Sequence, residues 1–383
     1  MRGIYWRPKV VSRNVLVMIA IMAGLGGFAV ETLKVKNKQE YYEEKTRAAK
    51  IMAGAMAELK LMRESIQAYP IDAENDPTLS GLVGVASSSI TSNLGYLNAK
   101  QITINPNWAA VVVHNFRKAG VEKGDVVALG MSGSFPALNL AVLAGCKALE
   151  LEPIIITSAA GSNWGANVPG FSWLEMEQHL LKTNIFSYKS IAASIGGIKD
   201  RGLGMDKDGR ATLKSIIEEV AKIRFLGAPD MTTAIQERMD LYSEYAGDRP
   251  IKAYVNVGGG TVSVGTRVGK QTFKPGLNRR LPPEATDVDS VMTRFARDGV
   301  PVIHLTAVKD LAKRFGLPQS VLKMPPVGHG EIFEKLEYNK WLTGGLLLVL
   351  VGSVWLFIRK NLGQRITGTH VQKGDSGQPE PMV

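Results

Sequence analysis

Cysteine is all but missing from this chain of 383 residues: Cys146 stands alone. A single thiol excludes an intrachain disulfide and any zinc site built on cysteine pairs. Set among Ala137, Leu140, Ala141 and Ala144, it reads as a buried structural thiol. Histidine supplies no metal site either, because His114, His179, His304, His329 and His370 share no ligand spacing such as H-E-x-x-H. A phosphate loop ending in Gly-Lys-Ser/Thr is missing, which argues against an ATP-driven ligase. No cofactor fingerprint takes its place, so no cofactor and no metal are assigned. Nucleic acid is disfavoured as a partner: the formal net charge is +11, yet no block of lysine and arginine is interleaved with aromatics. Much of the excess sits at the ends. Residues 1–30 carry four basic groups and no acid, and residues 359–383 carry four basic groups against two acids.

Long apolar runs are scarce but placed near both ends. Residues 15–30 contain no charge, and Leu33 and Val35 extend the run towards the about 20 residues that cross a bilayer. A cleaved signal peptide is the rival reading. The helical pattern runs on past the small residues without a break, which favours an uncleaved anchor over 15–35. Residues 341–358 form a second uncharged run, bounded by Lys340 and by Arg359 and Lys360. Trp341 and Trp355 suit the aromatic belts, and Gly344, Gly345 and Gly352 suit close helix contact. The expectation is a cell-membrane protein with two spans. Basic groups before the first span and after the second put both termini in the cytoplasm and the body outside, although Lys34, Lys36 and Lys38 weaken that asymmetry. The chain then divides into a basic tail (1–14), a span (15–35), a juxtamembrane helix (36–70), an α/β domain (71–338), a second span (341–358) and a basic, disordered tail (359–383).

Residues 124–167 set the fold class. Residues 125–131 are an apolar run of the kind buried on both faces of a parallel sheet. Ser132, Gly133 and Ser134 make a polar turn, Pro136 suits the first turn of a helix, and 153–157 is a second apolar strand. Strand, helix and strand within roughly thirty residues make a βαβ unit. Further strands are read at 81–86, 190–195, 251–257, 261–264 and 301–305. Helices are read at 40–69, 105–118, 172–181, 210–222, 230–245, 287–297 and 306–315. This alternation predicts an α/β fold, a largely parallel Rossmann-like sheet flanked by helices and bracketed by the two spans.

Six runs carry a likeness to a known family: Tyr5-Trp6-Arg7-Pro8, residues 132–139, Trp164-Gly165-Ala166-Asn167, residues 173–177, Asp200-Arg201-Gly202 and residues 256–261. They resemble the poly-gamma-glutamate system protein family, membrane proteins that accompany machinery making and exporting γ-linked polyglutamate. The likeness extends from residue 5 to about 340, with Glu175 standing where family versions carry Asp. It implies capsule-polymer biosynthesis or export, a membrane location, and synthase or export subunits as partners. It implies no reaction and no catalytic residue.

Ligands of parallel sheets gather at the carboxyl ends of strands, which singles out three loops. The first is Gly130-Met131-Ser132-Gly133-Ser134. It resembles the nucleophile elbow G-x-S-x-G, except that Ser134 replaces the final glycine; Ser132 would need His304 or His329 as its base. Anion binding fits the turn better. Backbone N–H groups and hydroxyls of Ser132, Gly133 and Ser134, with Asn139 one turn on, suit a phosphate or carboxylate. The turn also looks like the Ser-Gly-Ser loop of sugar-phosphate isomerase domains, and plain helix capping is the bland alternative. The second loop is Asn256, Gly258, Gly259, Gly260 and Thr261, where glycine permits close backbone approach to a ligand or simply a tight connection. The third set is the loop 158–167, with Ser158, Asn163 and Asn167 in it, together with Ser194, Gly196, Gly197, Asp200 and Arg201; it is suited to a carboxylate, unless Asp200 and Arg201 only pair with each other. Glu175 and Glu177 face different ways on a helix, and His329, between glycines, reads as exposed. The expected function is a membrane-anchored accessory protein whose α/β domain binds a γ-glutamyl carboxylate or a phosphate. A non-enzymatic scaffold for the synthase and a serine-type hydrolase or amide transferase acting on the polymer stand as alternatives.

Overall fold

The computed structural model describes residues 13–265 and 269–360, with side chains through 356. The Tyr5–Pro8 run, the rest of the basic tail before Arg13, and the tail from 361 lie outside the described residues. Two units are formed, one from residues 38–335 and one from residues up to 37 together with those from 336.

In chain order the strands are β1 (Val35–Lys38), β2 (Val126–Ser132), β3 (Glu152–Ser158), β4 (Asn167–Val168), β5 (Phe171–Ser172), β6 (Ala192–Ser194), β7 (Arg224–Leu226), β8 (Ile251–Val257), β9 (Gly276–Asn278), β10 (Val302–Leu305) and β11 (Glu334–Glu337). The helices are α1 (Arg13–Thr32), α2 (Tyr42–Glu64), α3 (Leu97–Thr103), α4 (Trp108–Ala119), α5 (Pro136–Leu149), α6 (Trp173–Lys182), α7 (Lys207–Ser215), α8 (Met231–Ala246), α9 (Thr261–Val264), α10 (Gly269–Thr272), α11 (Val291–Arg297), α12 (Val308–Arg314) and α13 (Lys340–Lys360).

The body is the expected α/β fold. Its sheet has seven strands in the order β7-β6-β3-β2-β8-β10-β9. All neighbours run parallel except β9, which is antiparallel to β10. Strand β2 is buried along its whole length, which its unbroken apolar sequence requires. Side chains alternate between two layers. Val127, Leu129 and Met131 join a core with α2, α4, α5 and α6, whereas Val126 and Ala128 join one with α8, α9 and α11. Helix α5 starts at Pro136 as expected, and Cys146 within it is fully buried, burial pushing its thiol pKa up. Ser172 and Glu175 form the capping box that opens α6.

Several expectations are corrected. Residues 81–86 form no strand, because their bonds go singly to a loop (Gly84 N–H to Trp164 O, 3.1 Å) rather than to a ladder. Residues 261–264 are a short helix, closed by Val264 N–H to Gly260 O at 3.0 Å. The helix set apart as juxtamembrane belongs to the body: Ala48, Met52, Ala55, Met56 and Leu59 of α2 are buried in its core. Strands β7 and β9 have three residues each, too few to show a period in the sequence.

In the other unit, α1 has 20 residues and a mean hydropathy of 2.0, long and apolar enough to cross a membrane. It is the one such helix among the described residues; the described apolar part of α13, Lys340–Leu356, is shorter. The two helices pack together where Gly26 meets the side chain of Leu346.

A close backbone approach lies just after β2. A Cβ on Gly133 would stand 2.5 Å from the Ala159 carbonyl oxygen, so the loops after β2 and β3 touch backbone to backbone. Gly133→Ala is expected to destabilise the body by about 1–3 kcal/mol, the usual cost of overpacking, read as a lower urea midpoint in tryptophan fluorescence.

Candidate functional site

After β2 the sheet grows through β3, β6 and β7 on one side, and then through β8 and β10 on the other. The switch between β2 and β8 therefore opens a crevice at their carboxyl ends. A cleft of about 320 Å³ lies there, with Lys100, Ser132, Ser134, Ser162, Gly259 and Lys270 in its lining. Register explains much of the wall. Ser132 aligns with Ser158 and Ser158 with Ser194, while Gly130 aligns with Asn256 and Asn256 with His304. The period of two puts these polar residues on the same sheet face as Val126, Ala128 and Val302, where each strand runs out of core.

The Ser132–Ser134 turn lies in the cleft wall, but its backbone donors are engaged within the protein. Gly133 N–H donates to Ser158 O (2.9 Å), Ser134 N–H to Ser132 Oγ (3.2 Å) and Phe135 N–H to Ser132 O (3.2 Å). Asn139 is fully buried and donates to Ser132 O at 2.9 Å, which braces the turn. The turn therefore does not form the expected backbone cradle, and only its side chains remain for a ligand. Of the glycine loop, Gly258 alone has a left-handed φ (+84°), and it packs against Ser132. Gly259, Gly260 and Thr261 line the cleft beside Lys270.

Asn163 and Asn167 hold the chain before α3 in place instead of facing the cleft. Asn163 Oδ1 accepts from Gly95 N–H (2.7 Å), and its amide nitrogen donates to Ala86 O. Asn167 accepts from Val85 N–H (3.0 Å) and donates to Val85 O (2.8 Å) and Thr91 Oγ1 (2.9 Å).

Asp200 and Arg201 do not pair. Arg238 of α8 donates to Asp200 Oδ2 at 2.7 Å and to Ser194 Oγ at 2.8 Å, and Ser194 donates to Asp200 Oδ1 at 2.7 Å. Arg201 is exposed and donates to Pro229 O. The sequence pointed to the wrong arginine because Arg238 lies one face of a helix and 38 positions away. Gly197 lines the cleft and Gly196 packs on Ser158.

Among the described residues no serine–histidine pair forms. His304 is fully buried, its Nδ1 accepting from Asn256 Nδ2 at 3.0 Å, so the neutral ring carries its proton on Nε2. Burial, and secondarily the charge of Lys270, pull its pKa down to about 4. His329 is exposed. Glu175 serves the α6 cap, and Glu177 is buried, accepting from Ser190 N–H and Oγ–H at 2.8 Å each. Among the described residues no cluster of His, Cys, Asp and Glu has metal-binding geometry.

Sequence reasoning missed both lysines of the cleft, Lys100 and Lys270, and reached Ser162 only as a member of the 158–167 loop. Lys100 is only 3% exposed. Its Nζ lies 2.5 Å from Ser134 O, 2.9 Å from Ser162 Oγ and 3.7 Å from the centre of the Phe135 ring. Burial, and then the charge of Lys270, lower its pKa from 10.5 to about 7. Its local sequence, Leu-Asn-Ala-Lys-Gln-Ile-Thr, has the look of an ordinary helix with a solvated lysine. Compared with family models, with curated proteins and with solved structures, the chain gives no match. The site is therefore read from its own geometry.

Two outcomes follow from these contacts. Arg238→Met leaves Asp200 buried without its cation and is expected to cost about 3–5 kcal/mol, whereas Arg201→Met on the surface changes the denaturation midpoint little. Lys100 titrates lower in the folded chain, so between about pH 7 and pH 10.5 the unfolded chain holds a proton that the folded one lacks. Stability from this group is present above 10.5 and is lost as pH falls towards 7. Lys100→Met should flatten the rise in unfolding free energy across that window, measured by denaturation at a series of pH values.

Proposed function

We propose that this chain is a membrane-anchored accessory component of poly-γ-glutamate biosynthesis or export, whose α/β body binds a γ-glutamyl carboxylate in the cleft between β2 and β8. The observation that carries the reading is the charge of the cleft. Its lining holds two lysines, Lys100 and Lys270, and one acid, Asp200, which is already paired with Arg238. Among the described residues neither lysine has a carboxylate partner. Lys100 is held by a carbonyl and a hydroxyl of the protein, which leaves Lys270, beside Gly259 and Gly260, as the anchor for an anion. The hydroxyls of Ser132 and Ser134 flank the same space. The polymer class comes from the resemblance in residues 132–139, 164–167, 173–177, 200–202 and 256–261. Phosphate shares the chemistry and is the competing anion.

The anchor in this reading is α1, joined by α13 as a second span, with both termini in the cytoplasm and the body outside. The length and hydropathy of α1 and its packing on α13 through Gly26 support it. That packing also favours the scaffold reading, in which the helices hold the synthase; co-purification with synthase subunits that is lost on replacing α1 and α13 is its signature.

Titration calorimetry with γ-glutamate oligomers and with inorganic phosphate tests the main reading. Binding is expected to weaken about tenfold in Lys270→Gln, equivalent to the loss of one charge-assisted hydrogen bond, and to weaken with added salt. Absence of binding by either anion sinks it.

A further inference from the structure

The cleft also contains a nucleophile and a base that the anion-binding reading does not use. We infer that Ser162 and Lys100 form a serine–lysine pair that cleaves or transfers an acyl group, acting on an amide-linked anionic chain held in the same cleft. This rests on the reading above for the identity of the substrate, and on contacts within the body for the chemistry.

Of the cleft's serines, Ser162 alone has a basic side chain at hydrogen-bond distance, 2.9 Å from Lys100 Nζ. Ser132 Oγ accepts from a backbone N–H, and Ser134 Oγ accepts from Ser162 N–H at 3.1 Å. That last bond fixes the backbone of Ser162 against the turn after β2. A neutral lysine has one lone pair and two N–H groups, and three groups surround Lys100 Nζ. As an amine, Lys100 turns its lone pair to the Ser162 hydroxyl at 2.9 Å, where an ammonium would donate, while an N–H points to Ser134 O at 2.5 Å and the Phe135 ring face lies 3.7 Å away. A permanently charged ammonium at 3% exposure without a carboxylate is poorly accommodated, whereas an amine fits. The pKa of about 7 agrees with the contacts and keeps much of the group unprotonated near neutrality.

The reaction balances with water as the only co-reactant. Lys100 Nζ takes the hydroxyl proton as Ser162 Oγ bonds to the amide carbonyl carbon. The C–N bond breaks with its electron pair staying on nitrogen, and Lys100 returns the proton to that leaving amine. Water then attacks the ester, gives a proton to Lys100, and the serine oxygen recovers it as the acid product departs. An amine in place of water gives transfer instead. Lys270, on the cleft wall by Gly259, holds a carboxylate of the substrate while the pair acts on the amide. Sequence motifs give no hint of this pair, since Lys100 and Ser162 stand 62 residues apart in loops and helices without a shared pattern.

The test uses the full chain in detergent and a fluorophosphonate probe, which reacts with a serine oxygen that a neighbouring base activates; the adduct is mapped by mass spectrometry. The expected adduct is on Ser162 and is lost in Ser162→Ala. Its rate should rise with pH through about 7 and fall at least about 100-fold in Lys100→Arg, where the side chain stays protonated. Near-ultraviolet circular dichroism verifies that each variant folds, and Ser162→Ala removes only one oxygen should the arginine disturb the cleft. No adduct, an adduct on Ser132, or a rate indifferent to Lys100→Arg overturns the inference. Binding of γ-glutamate oligomers to Ser162→Ala is measured alongside. Oligomers bound but no serine labelled overturns the pair and leaves the anion-binding reading intact. Ser162 labelled but no oligomer bound supports the pair and overturns the γ-glutamyl substrate.

Discussion

Strand β2 has a parallel partner on each edge, β3 and β8, and all seven of its residues are buried, with only Ser132 at its carboxyl end opening onto the cleft. A strand so placed must be apolar until it leaves the sheet, so polar groups are displaced to its carboxyl end and to the loops beyond. Those loops must then satisfy their own backbone. They do so at close range: Gly133 N–H meets Ser158 O, Ala166 N–H meets Gly133 O at 2.7 Å, and Gly133 has no room for a side chain. The turn that looks built to offer amides to a ligand therefore offers side chains, and the chemistry of the cleft passes to hydroxyls and lysines.

Buried polar groups around the cleft fall into two kinds. Asp200, Arg238 and Ser194 satisfy one another, and such a closed network defines a geometry without inviting a ligand. Lys100 is different, for its partners are a carbonyl, a hydroxyl and a ring, none of which carries the opposite charge. Keeping a lysine in such a place costs stability that alanine or methionine would not, and perturbed groups in a cleft are where function is found most often. His304 and Asn256 lie between these cases. They satisfy each other on one side, while His304 Nε2 and Asn256 Oδ1 have no partner among the described residues.

Some of this was legible in the residues. The apolar runs at 125–131 and 251–257 became β2 and β8, because a strand buried on both faces has a composition that nothing exposed shares. Capping signals at Ser172 and Asp230 became helix starts, because a cap is satisfied within four residues. The polar turn after β2 was placed at the right edge of the sheet for the same local reasons, and so was the glycine loop after β8.

Sequence alone thus determined the fold class, the apolar helix α1 and the sheet edge at which to look, since each is governed by contacts between neighbours in the chain. Tertiary structure decided which charges meet. Arg238 rather than Arg201 neutralises Asp200, Asn163 and Asn167 brace a loop, and Lys100 is driven into the wall of the cleft beside Ser162. Each of these pairings joins residues from 38 to 82 positions apart. Nothing local marks such partners, because the low-dielectric setting that gives a buried charge its partner and its proton affinity exists only once the layers close around it.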